Sequence, residues 1–206
     1  MVERQLRRRG IDDERVLAAM AEVPRELFLP DEERGRAYRD GAVRIGEGQT
    51  MSQPWIVACM AQLLSLKGSE RVLEVGTGSG YAAAVLSLLC REVVTIERFE
   101  SLAAQAAAML AELGYSNVEV RTGDGTLGAP DKAPFGGISV TATARDRPPP
   151  ALFEQLTPGA ALVCPVERGL QELLVRYRDG EEEAVAPVRF VPLLEGWEAA
   201  EEPREE

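Results

Sequence analysis

The chain has 206 residues, 45% of them hydrophobic and 28% charged, which is the composition of a globular protein of one domain. Its formal net charge of −11 argues against a basic surface for nucleic acid. The chain has no histidine, which excludes Ser-His-Asp and Cys-His catalysis and the H-E-x-x-H zinc site. We therefore expect chemistry that needs neither an imidazole nor a metal.

The first 70 residues are predicted to form a helical extension. Residues 2–9 and 12–22 carry apolar side chains at helical spacing, and Asp12 is placed to cap the second helix. Residues 37–48 are rich in glycine and predict a loop with at most one strand. Pro54 then precedes residues 55–66, an apolar stretch that predicts a helix.

From residue 71 onward, predicted strands and helices alternate. Strands are predicted at residues 71–75, 92–96, 118–121, 137–141, 160–165, 172–178 and 183–190. Helices are predicted at residues 81–90, 100–113 and 150–156. This alternation predicts an α/β fold with a doubly wound, mostly parallel sheet covered by helices on both faces.

Two further features complete the predicted organisation. Asp179-Gly180 is a strong hairpin signal, so the last two strands should form an antiparallel edge. We expect one domain over residues 1–194, made of the extension (1–70) and the sheet region (71–194), followed by an acidic tail (195–206).

Cysteine usage and hydropathy indicate the cellular compartment. Cys59, Cys90 and Cys164 are odd in number, far apart and flanked by apolar residues, which favours small core residues over a disulfide framework or a nucleophile. No apolar run approaches the ~20 residues of a membrane span. Residues 1–9 lack the apolar segment of a signal peptide. These observations predict a cytoplasmic protein without a membrane partner.

The most informative stretch is V-L-E-V-G-T-G-S-G-Y at residues 72–81. A strand, three glycines at alternate positions and a helix start predict a tight turn that a ligand can approach closely. Glu74 places a carboxylate next to this turn, which would repel a pyrophosphate and favour an amino group or a sulfonium. The turn therefore predicts a nucleoside site for a cationic ligand.

Two acidic residues follow the next strands. Glu97 is placed to accept both hydroxyls of a ribose, or alternatively is an exposed carboxylate at the helix start that pairs with Arg98. Asp124 could accept a hydrogen bond from an adenine amino group, or alternatively bonds the backbone of its own turn.

Ser52 has two compatible interpretations. It is positioned as an N-cap of the following helix, or its hydroxyl faces a ligand cleft. Both can hold, because a cap uses the side-chain oxygen as an acceptor and leaves its hydrogen free to donate.

Several motifs together resemble the protein-L-isoaspartate O-methyltransferases, a family that uses S-adenosylmethionine. They include V-P-R-E-L-F-L-P at residues 23–30, I-G-E-G-Q-T-M-S-Q-P at 45–54, the glycine turn, G-D-G at 123–125 and F-V-P-L at 190–193. The resemblance runs from Val2 to Leu193. The glycine turn alone is shared with other S-adenosylmethionine enzymes, whereas G-Q-T-x-S-x-P and F-V-P-L are more specific.

The resemblance implies a Rossmann-like methyltransferase that methylates the free carboxylate of isoaspartyl residues in damaged proteins or peptides and releases S-adenosylhomocysteine. It places the active-site serine at Ser52 and the substrate cleft at Ser52, Val191, Pro192 and Leu193. Together with the glycine turn, it gives the following cofactor contacts: Thr50, Ser52, Glu74, Gly76, Thr77, Gly78, Ser79, Gly80, Glu97, Arg98, Asp124 and Gly125. We expect a monomer.

This chemistry agrees with the composition. A carboxylate with a pKa near 4 is already ionised at neutral pH, so no general base is needed. Alignment and exclusion of water would suffice.

The chain departs from the family pattern at three places. Val43-Arg44 stands where Leu-Pro is usual, Gly136-Gly137 replaces Asp-Ala, and Gly159-Ala160-Ala161 replaces two glycines and a larger residue. Arg44 either holds a substrate carboxylate or lies in solvent. Loss of the aspartate at Gly136 is expected to loosen the cofactor turn.

Three alternatives therefore stay open. Val43-Arg44 motivates a methyltransferase for another peptide carboxylate, and Gly136 motivates a weakly active paralogue that only binds the cofactor. The glycine turn by itself also permits an NAD-dependent dehydrogenase.

Overall fold

The computed structural model describes residues 1–196 of the chain, so the predicted acidic tail lies outside the described residues from residue 197 onward. These residues form two sheets, of two and seven strands. The small sheet contains β1 (Val43–Gly46) and β2 (Gln49–Met51). The large sheet contains β3 (Arg71–Val75), β4 (Glu92–Glu97), β5 (Val118–Thr122), β6 (Phe135–Val140), β7 (Leu156–Arg168), β8 (Gln171–Arg178) and β9 (Glu181–Val188).

Within the described part of the chain, five α-helices flank the sheet and build the extension. They are α1 (Glu14–Glu22), α2 (Pro54–Leu64), α3 (Tyr81–Ser87), α4 (Glu100–Glu112) and α5 (Pro150–Glu154). Short 3₁₀ turns include Arg25–Phe28 and Asp31–Arg36. Within residues 1–196, no helix has the length and apolar character needed to cross a membrane.

The strand order explains where a ligand can bind. The large sheet runs β5-β4-β3-β6-β7-β8-β9, with parallel pairing from β5 to β7 and antiparallel pairing from β7 to β9. The chain leaves β3 towards β4 and β5, then crosses back to place β6 on the other side of β3. This is the topological switch point at which doubly wound sheets bind ligands, at the carboxyl ends of the strands.

The predicted fold class is confirmed. The strand β3 has the predicted bounds because its run of β-branched and apolar residues is buried on both faces, as expected for a central parallel strand. Val72 belongs to the hydrophobic cluster that contains residues of α1 to α4, whereas Leu73 belongs to the cluster that contains Leu152 of α5. The antiparallel edge is also present, and Asp179 and Gly180 both have positive φ values, 51° and 84°, as a tight hairpin turn requires.

The N-terminal extension differs from the prediction in two details. Residues 2–9 form a π-helical turn and a 3₁₀ turn rather than an α-helix. Asp13, not Asp12, caps α1 by accepting a hydrogen bond from the Arg15 amide. The cause is Gln62, whose side-chain oxygen accepts both the Asp12 and Asp13 amides and keeps Asp12 outside the helix. The predicted loop at residues 37–48 contains β1 and leads into β2 through a hairpin.

Candidate active site

A cavity of about 1020 Å³ lies at the switch point of the large sheet. Its floor comes from the carboxyl ends of β3, β4 and β6, including Gly76, Glu97 and Thr141. One wall comes from the extension and contains β2 and the start of α2. The opposite wall is the segment 187–194, which includes the last two residues of β9 and the residues after it. We call this space the central cavity.

The glycine turn forms part of the floor. Gly76, Gly78 and Gly80 have φ values of 94°, 54° and 87°, which side chains rarely adopt. A Cβ atom at Gly76 would lie 2.2 Å from Thr141 Oγ1, which donates to the carbonyls of Val75 and Gly76. Glycine is therefore required by both conformation and space. Thr141 was missed by the sequence analysis, although its place after the fourth parallel strand was a signal.

The residues of the turn do not all face the central cavity. Gly76, Thr77, Gly78 and Ser79 line it. Gly80 does not, because it is packed under α4, where a Cβ would lie 3.3 Å from both Ala106 and Leu110 side-chain atoms. The third glycine thus permits close packing of two helices rather than a close approach of ligand.

Glu97 lies at the end of β4 and lines the central cavity while being 95% buried, with a relative exposure of 5%. One carboxylate oxygen accepts the Gly78 amide at 2.8 Å, and the other accepts the Phe99 amide at 3.1 Å. These bonds join the glycine turn to β4. Each oxygen keeps a further lone pair, so the geometry favours the ribose interpretation over an exposed carboxylate. Arg98 also lines the cavity, and its guanidinium lies 5.0 Å from the Phe99 ring centroid.

Glu74 lies behind the turn rather than on the cavity wall. Its side chain is completely buried, and one oxygen bonds to Thr95 Oγ1, which in turn contacts Thr77 Oγ1 at 2.6 Å. Burial raises the pKa of Glu74 to about 8, with the Thr95 hydrogen bond opposing the shift and the charge of Glu97 adding to it. The carboxyl group is thus favoured in its neutral form at pH 7. This differs from the negative charge that was predicted next to the turn.

Asp124 and Gly125 follow β5. One oxygen of Asp124 accepts hydrogen bonds from the Thr126 amide and hydroxyl, and the other accepts the Gly196 amide at 2.7 Å. The Thr126 contacts are those expected of a turn residue, whereas the Gly196 amide comes from the segment after β9. Asp124 itself is not among the described residues that line the central cavity. Gly125 lines the central cavity, and a Cβ there would lie 2.4 Å from Val75 Cγ1.

Thr50 and Ser52 lie on the extension wall and line the cavity. The predicted N-cap role of Ser52 is wrong, because α2 begins at Pro54 and its N-cap position is occupied by Gln53. Proline at the first helical position fixes this start. The Ser52 carbonyl instead accepts a hydrogen bond from Arg25.

The opposite wall contains Val191, Pro192 and Leu193. The Thr143 amide donates to the Val191 carbonyl, and the Leu193 amide donates to the Thr143 carbonyl, both at 2.8 Å. Glu172 fixes the same junction by accepting hydrogen bonds from the Phe190 amide and the Thr143 hydroxyl. The segment is therefore attached to the carboxyl end of the sheet beside the cavity.

The three cysteines lie apart from the site. Cys59, Cys90 and Cys164 are free thiols and buried. Burial raises the pKa of Cys59 to about 11 and that of the other two to about 12. A thiol with such a pKa is not a nucleophile at neutral pH, so the core interpretation holds.

Comparison with known proteins identifies the family. The model of the family described as protein-L-isoaspartate(D-aspartate) O-methyltransferase matches residues 1–198. The chain belongs to this family. One relative, protein-L-isoaspartate O-methyltransferase 2 of Marinobacter nauticus, is 56% identical over 205 residues, which is 96% of this chain and 93% of the relative.

Solved structures agree with this membership. A solved protein-L-isoaspartate O-methyltransferase has a TM-score of 0.82 at 30% identity, and the match covers 93% of this chain and 65% of the solved one. A Plasmodium falciparum protein, solved in complex with S-adenosyl-L-homocysteine, has the same fold with a TM-score of 0.79 at 24% identity, covering 94% of this chain and 96% of the other.

The departure from the family pattern at Val43-Arg44 does not reach the central cavity. Val43 is buried in the core, and Arg44 is exposed on β1 and is not among the described residues that line the cavity. The solvent interpretation of Arg44 is the one that the structure supports.

The structure places Gly136 away from the glycine turn that its departure was predicted to loosen. Gly136 lies near the start of β6, whereas the glycine turn follows the opposite end of the neighbouring strand β3. A Cβ at Gly136 would lie 2.5 Å from Glu70 Cγ. The carboxylate of Glu70 accepts the Lys67 and Gly68 amides, so this side chain fills the space beside Gly136. Glycine at this position therefore accommodates Glu70, and the loosening of the cofactor turn stays a prediction.

Proposed function

We propose that the chain transfers a methyl group from S-adenosylmethionine to the free carboxylate of L-isoaspartyl residues in damaged proteins or peptides. Family membership supports this reaction. The observation that carries it is the central cavity, in which the glycine turn and Glu97 lie on the floor and Ser52 and residues 191–193 lie on opposite walls. The methyl ester then closes to a succinimide with loss of methanol, and the succinimide reopens in part to normal aspartate.

The residues present fit the cofactor. Thr77, Gly78 and Ser79 line the floor, and Gly78 has a positive φ of 54°. The carboxylate of Glu97 lines the same space, where ribose hydroxyls can donate to it. The cavity volume of about 1020 Å³ is large enough for a nucleoside and part of a peptide. When bound, S-adenosylmethionine supplies a methyl group on a sulfonium, and the S–CH₃ bond breaks as an O–CH₃ bond forms.

We assign the following roles to the chain's own residues. Glu97 holds the ribose, Gly125 lets the adenine approach the end of β5, and Asp124 shapes that turn. Ser52 orients the acceptor carboxylate by donating its hydroxyl, and Thr50 stands beside it on β2. The segment 191–193 holds the peptide and excludes water.

A reaction that needs no general base agrees with the residues of the cavity. The acceptor carboxylate is already ionised at neutral pH, so no proton has to be removed before methyl transfer. The chain has no histidine, and Glu74 is buried off the cavity wall. Methylation of an alcohol or a carbon acid, for which a base is usually required, is therefore disfavoured.

The alternatives have lost the observations that motivated them. Retargeting to another peptide carboxylate depended on Arg44, which lies off the cavity, and the inactive paralogue depended on Gly136, which lies by the start of β6. We also propose that residues 1–194 act as one methyltransferase domain, that the protein is monomeric and cytoplasmic, and that it binds no nucleic acid.

The decisive experiment measures transfer of a tritiated methyl group to paired peptides that differ only in an isoaspartyl or an aspartyl residue. Methylation of the isoaspartyl peptide alone is the expected result. Methylation of the aspartyl peptide with the isoaspartyl peptide inert would indicate a different acceptor. Cofactor binding without transfer to either peptide would contradict enzymatic activity.

A further inference from the structure

Arg25 is a buried cation that the family reaction does not explain. It begins the 3₁₀ turn Arg25–Phe28, and its relative exposure is 0%. None of the carboxylates in residues 1–196 forms a salt bridge with it, and its Nη1 atom has no hydrogen-bond partner within the same range. Burying a guanidinium with an unpaired donor is unfavourable, so a compensating role is expected.

The contacts of Arg25 join three segments around the central cavity. Nε donates to the Ala37 carbonyl at 2.7 Å, and Nη2 donates to the Ser52 carbonyl. The guanidinium carbon lies 4.7 Å from the ring centroid of Tyr81, the first residue of α3. Ser52 and Tyr81 both line the cavity, one on the extension wall and one directly after the glycine turn.

We infer that Arg25 is a positioning residue, which holds Ser52 at a fixed place relative to the start of α3. This inference rests on the proposed function, because it assigns Ser52 to the acceptor side and the glycine turn to the methyl donor side. The planar fork of the guanidinium directs two donors at two carbonyls while its carbon lies over an aromatic ring, an arrangement that an ammonium group cannot reproduce. Arg25 therefore acts from behind the cavity wall, without contact to the substrate.

The chain offers a matched control on the same 3₁₀ turn. Phe28 is also buried and lies edge-on to Tyr81, with ring centroids 5.7 Å apart. It provides no hydrogen bond to the Ser52 or Ala37 carbonyl. A Phe28→Leu variant should therefore weaken packing around Tyr81 while leaving the Ser52 peptide in place.

The test compares Arg25→Lys, Arg25→Met and Phe28→Leu with the wild-type protein. We expect Arg25→Met to lower kcat/KM for the isoaspartyl peptide by about 100-fold, as expected for a small misplacement of a reacting group. Arg25→Lys should be intermediate. In both Arg25 variants the Kd of S-adenosylhomocysteine should change by less than about threefold. The reason is that this ligand occupies the methyl-donor side of the cavity and does not depend on the position of the acceptor carboxylate. Phe28→Leu should lower Tm with kcat/KM unchanged.

Two further readouts separate positioning from stability alone. Because Arg25 acts through Ser52, the two substitutions should not be independent. The fold-loss in kcat/KM of the double variant Arg25→Lys/Ser52→Ala should be smaller than the product of the fold-losses of the two single variants. Amide hydrogen exchange of residues 50–53 should be faster in Arg25→Lys than in Phe28→Leu when the two variants have the same decrease in Tm. This measurement does not depend on enzymatic activity.

The inference is overturned if Arg25→Lys retains the wild-type kcat/KM and exchange rates, or if cofactor affinity falls by the same factor as kcat/KM. If the Arg25→Met protein does not fold, the kcat/KM and exchange rates of Arg25→Lys decide the test. A wild-type protein inactive on the isoaspartyl peptide would contradict the proposed function, and the exchange comparison would still decide the role of Arg25.

Discussion

At the scale of single residues, Glu97 connects the fold to the proposed ribose site. Of the described residues that line the central cavity, it is the one with a carboxylate, and it also accepts the amides of Gly78 and Phe99. Its substitution should therefore remove ribose contacts and release the glycine turn at the same time.

We predict that Glu97→Gln weakens S-adenosylhomocysteine binding by about 1–3 kcal/mol, the range for losing a charge-assisted hydrogen bond. Isothermal titration calorimetry measures the change. Glu112→Gln, at the end of α4 and away from the cavity, should bind as the wild-type protein does. Equal affinity of the Glu97 variant would show that ribose is held elsewhere.

Ser52 should affect the acceptor more than the cofactor. Because it does not cap α2, Ser52→Ala should leave Tm nearly unchanged. We expect kcat/KM for the isoaspartyl peptide to fall about 10- to 100-fold, as for one hydrogen bond to a charged group. Ser69→Ala, an exposed substitution before β3, is the control. If Ser52→Ala lowers Tm and leaves kcat/KM unchanged, the role of Ser52 is structural.

Glu74 should make stability depend on pH. Its pKa is raised from 4.5 to about 8 by burial, so the folded state binds a proton that the unfolded state releases between these values. The contribution to stability is fully present below pH 4.5 and is lost as pH rises through 8. Urea denaturation should show the free energy of unfolding of the wild-type protein decreasing over this window relative to Glu74→Gln. Parallel pH profiles for the two proteins would place the Glu74 pKa near its ordinary value.

At the scale of elements, Gly136 shows how a strand position is selected by its neighbour. An added side chain meets Cβ and Cγ of Glu70, which are held because the Glu70 carboxylate is bonded to two backbone amides. We predict that Gly136→Asp lowers the free energy of unfolding by about 1–3 kcal/mol, as overpacking does. The affinity for S-adenosylhomocysteine should not change, because the site lies at the other end of the sheet.

Gly41→Asp provides the control for this substitution. A Cβ at Gly41 meets nothing within 4 Å, so the added charge and bulk are tolerated there. Thermal and urea unfolding of both variants measure whether Gly136→Asp lowers the free energy of unfolding and Gly41→Asp does not. A Gly136→Asp protein that is more stable than wild type, or that binds the cofactor more tightly, would restore the supporting role that the sequence indicated.

The elements also show what a sequence can predict. The bounds of β3 follow from a buried apolar run, and the edge hairpin follows from Asp179-Gly180, since both depend on nearby residues. The cap of α1 could not be predicted, because Gln62, 50 residues after Asp12, decides where the helix begins. The burial of Glu74 depends on its pairing with Thr95 across two strands, which no local pattern encodes.

At the scale of the whole molecule, the central cavity exists only when three parts of the chain are in place. The extension provides Ser52, the sheet provides the glycine turn and Glu97, and the segment after β9 provides residues 191–193. Sequence motifs identified members of all three parts. They did not reveal Arg25, whose V-P-R-E motif was visible but whose contacts to Ala37, Ser52 and Tyr81 join separate segments.

This arrangement predicts that ligand binding stabilises the extension and the sheet together. At 100 times its Kd, S-adenosylhomocysteine should add about 2.7 kcal/mol to the free energy of unfolding. For a domain of this size, that corresponds to a rise in Tm of roughly 5–10 °C. Differential scanning calorimetry should show one unfolding transition whose Tm rises with S-adenosylhomocysteine, whereas NAD at the same concentration should leave the Tm unchanged.

Two transitions, of which only one shifts, would mean that the extension and the sheet unfold as separate units and that one domain over residues 1–194 is the wrong description. An equal shift with NAD would contradict the identity of the cofactor.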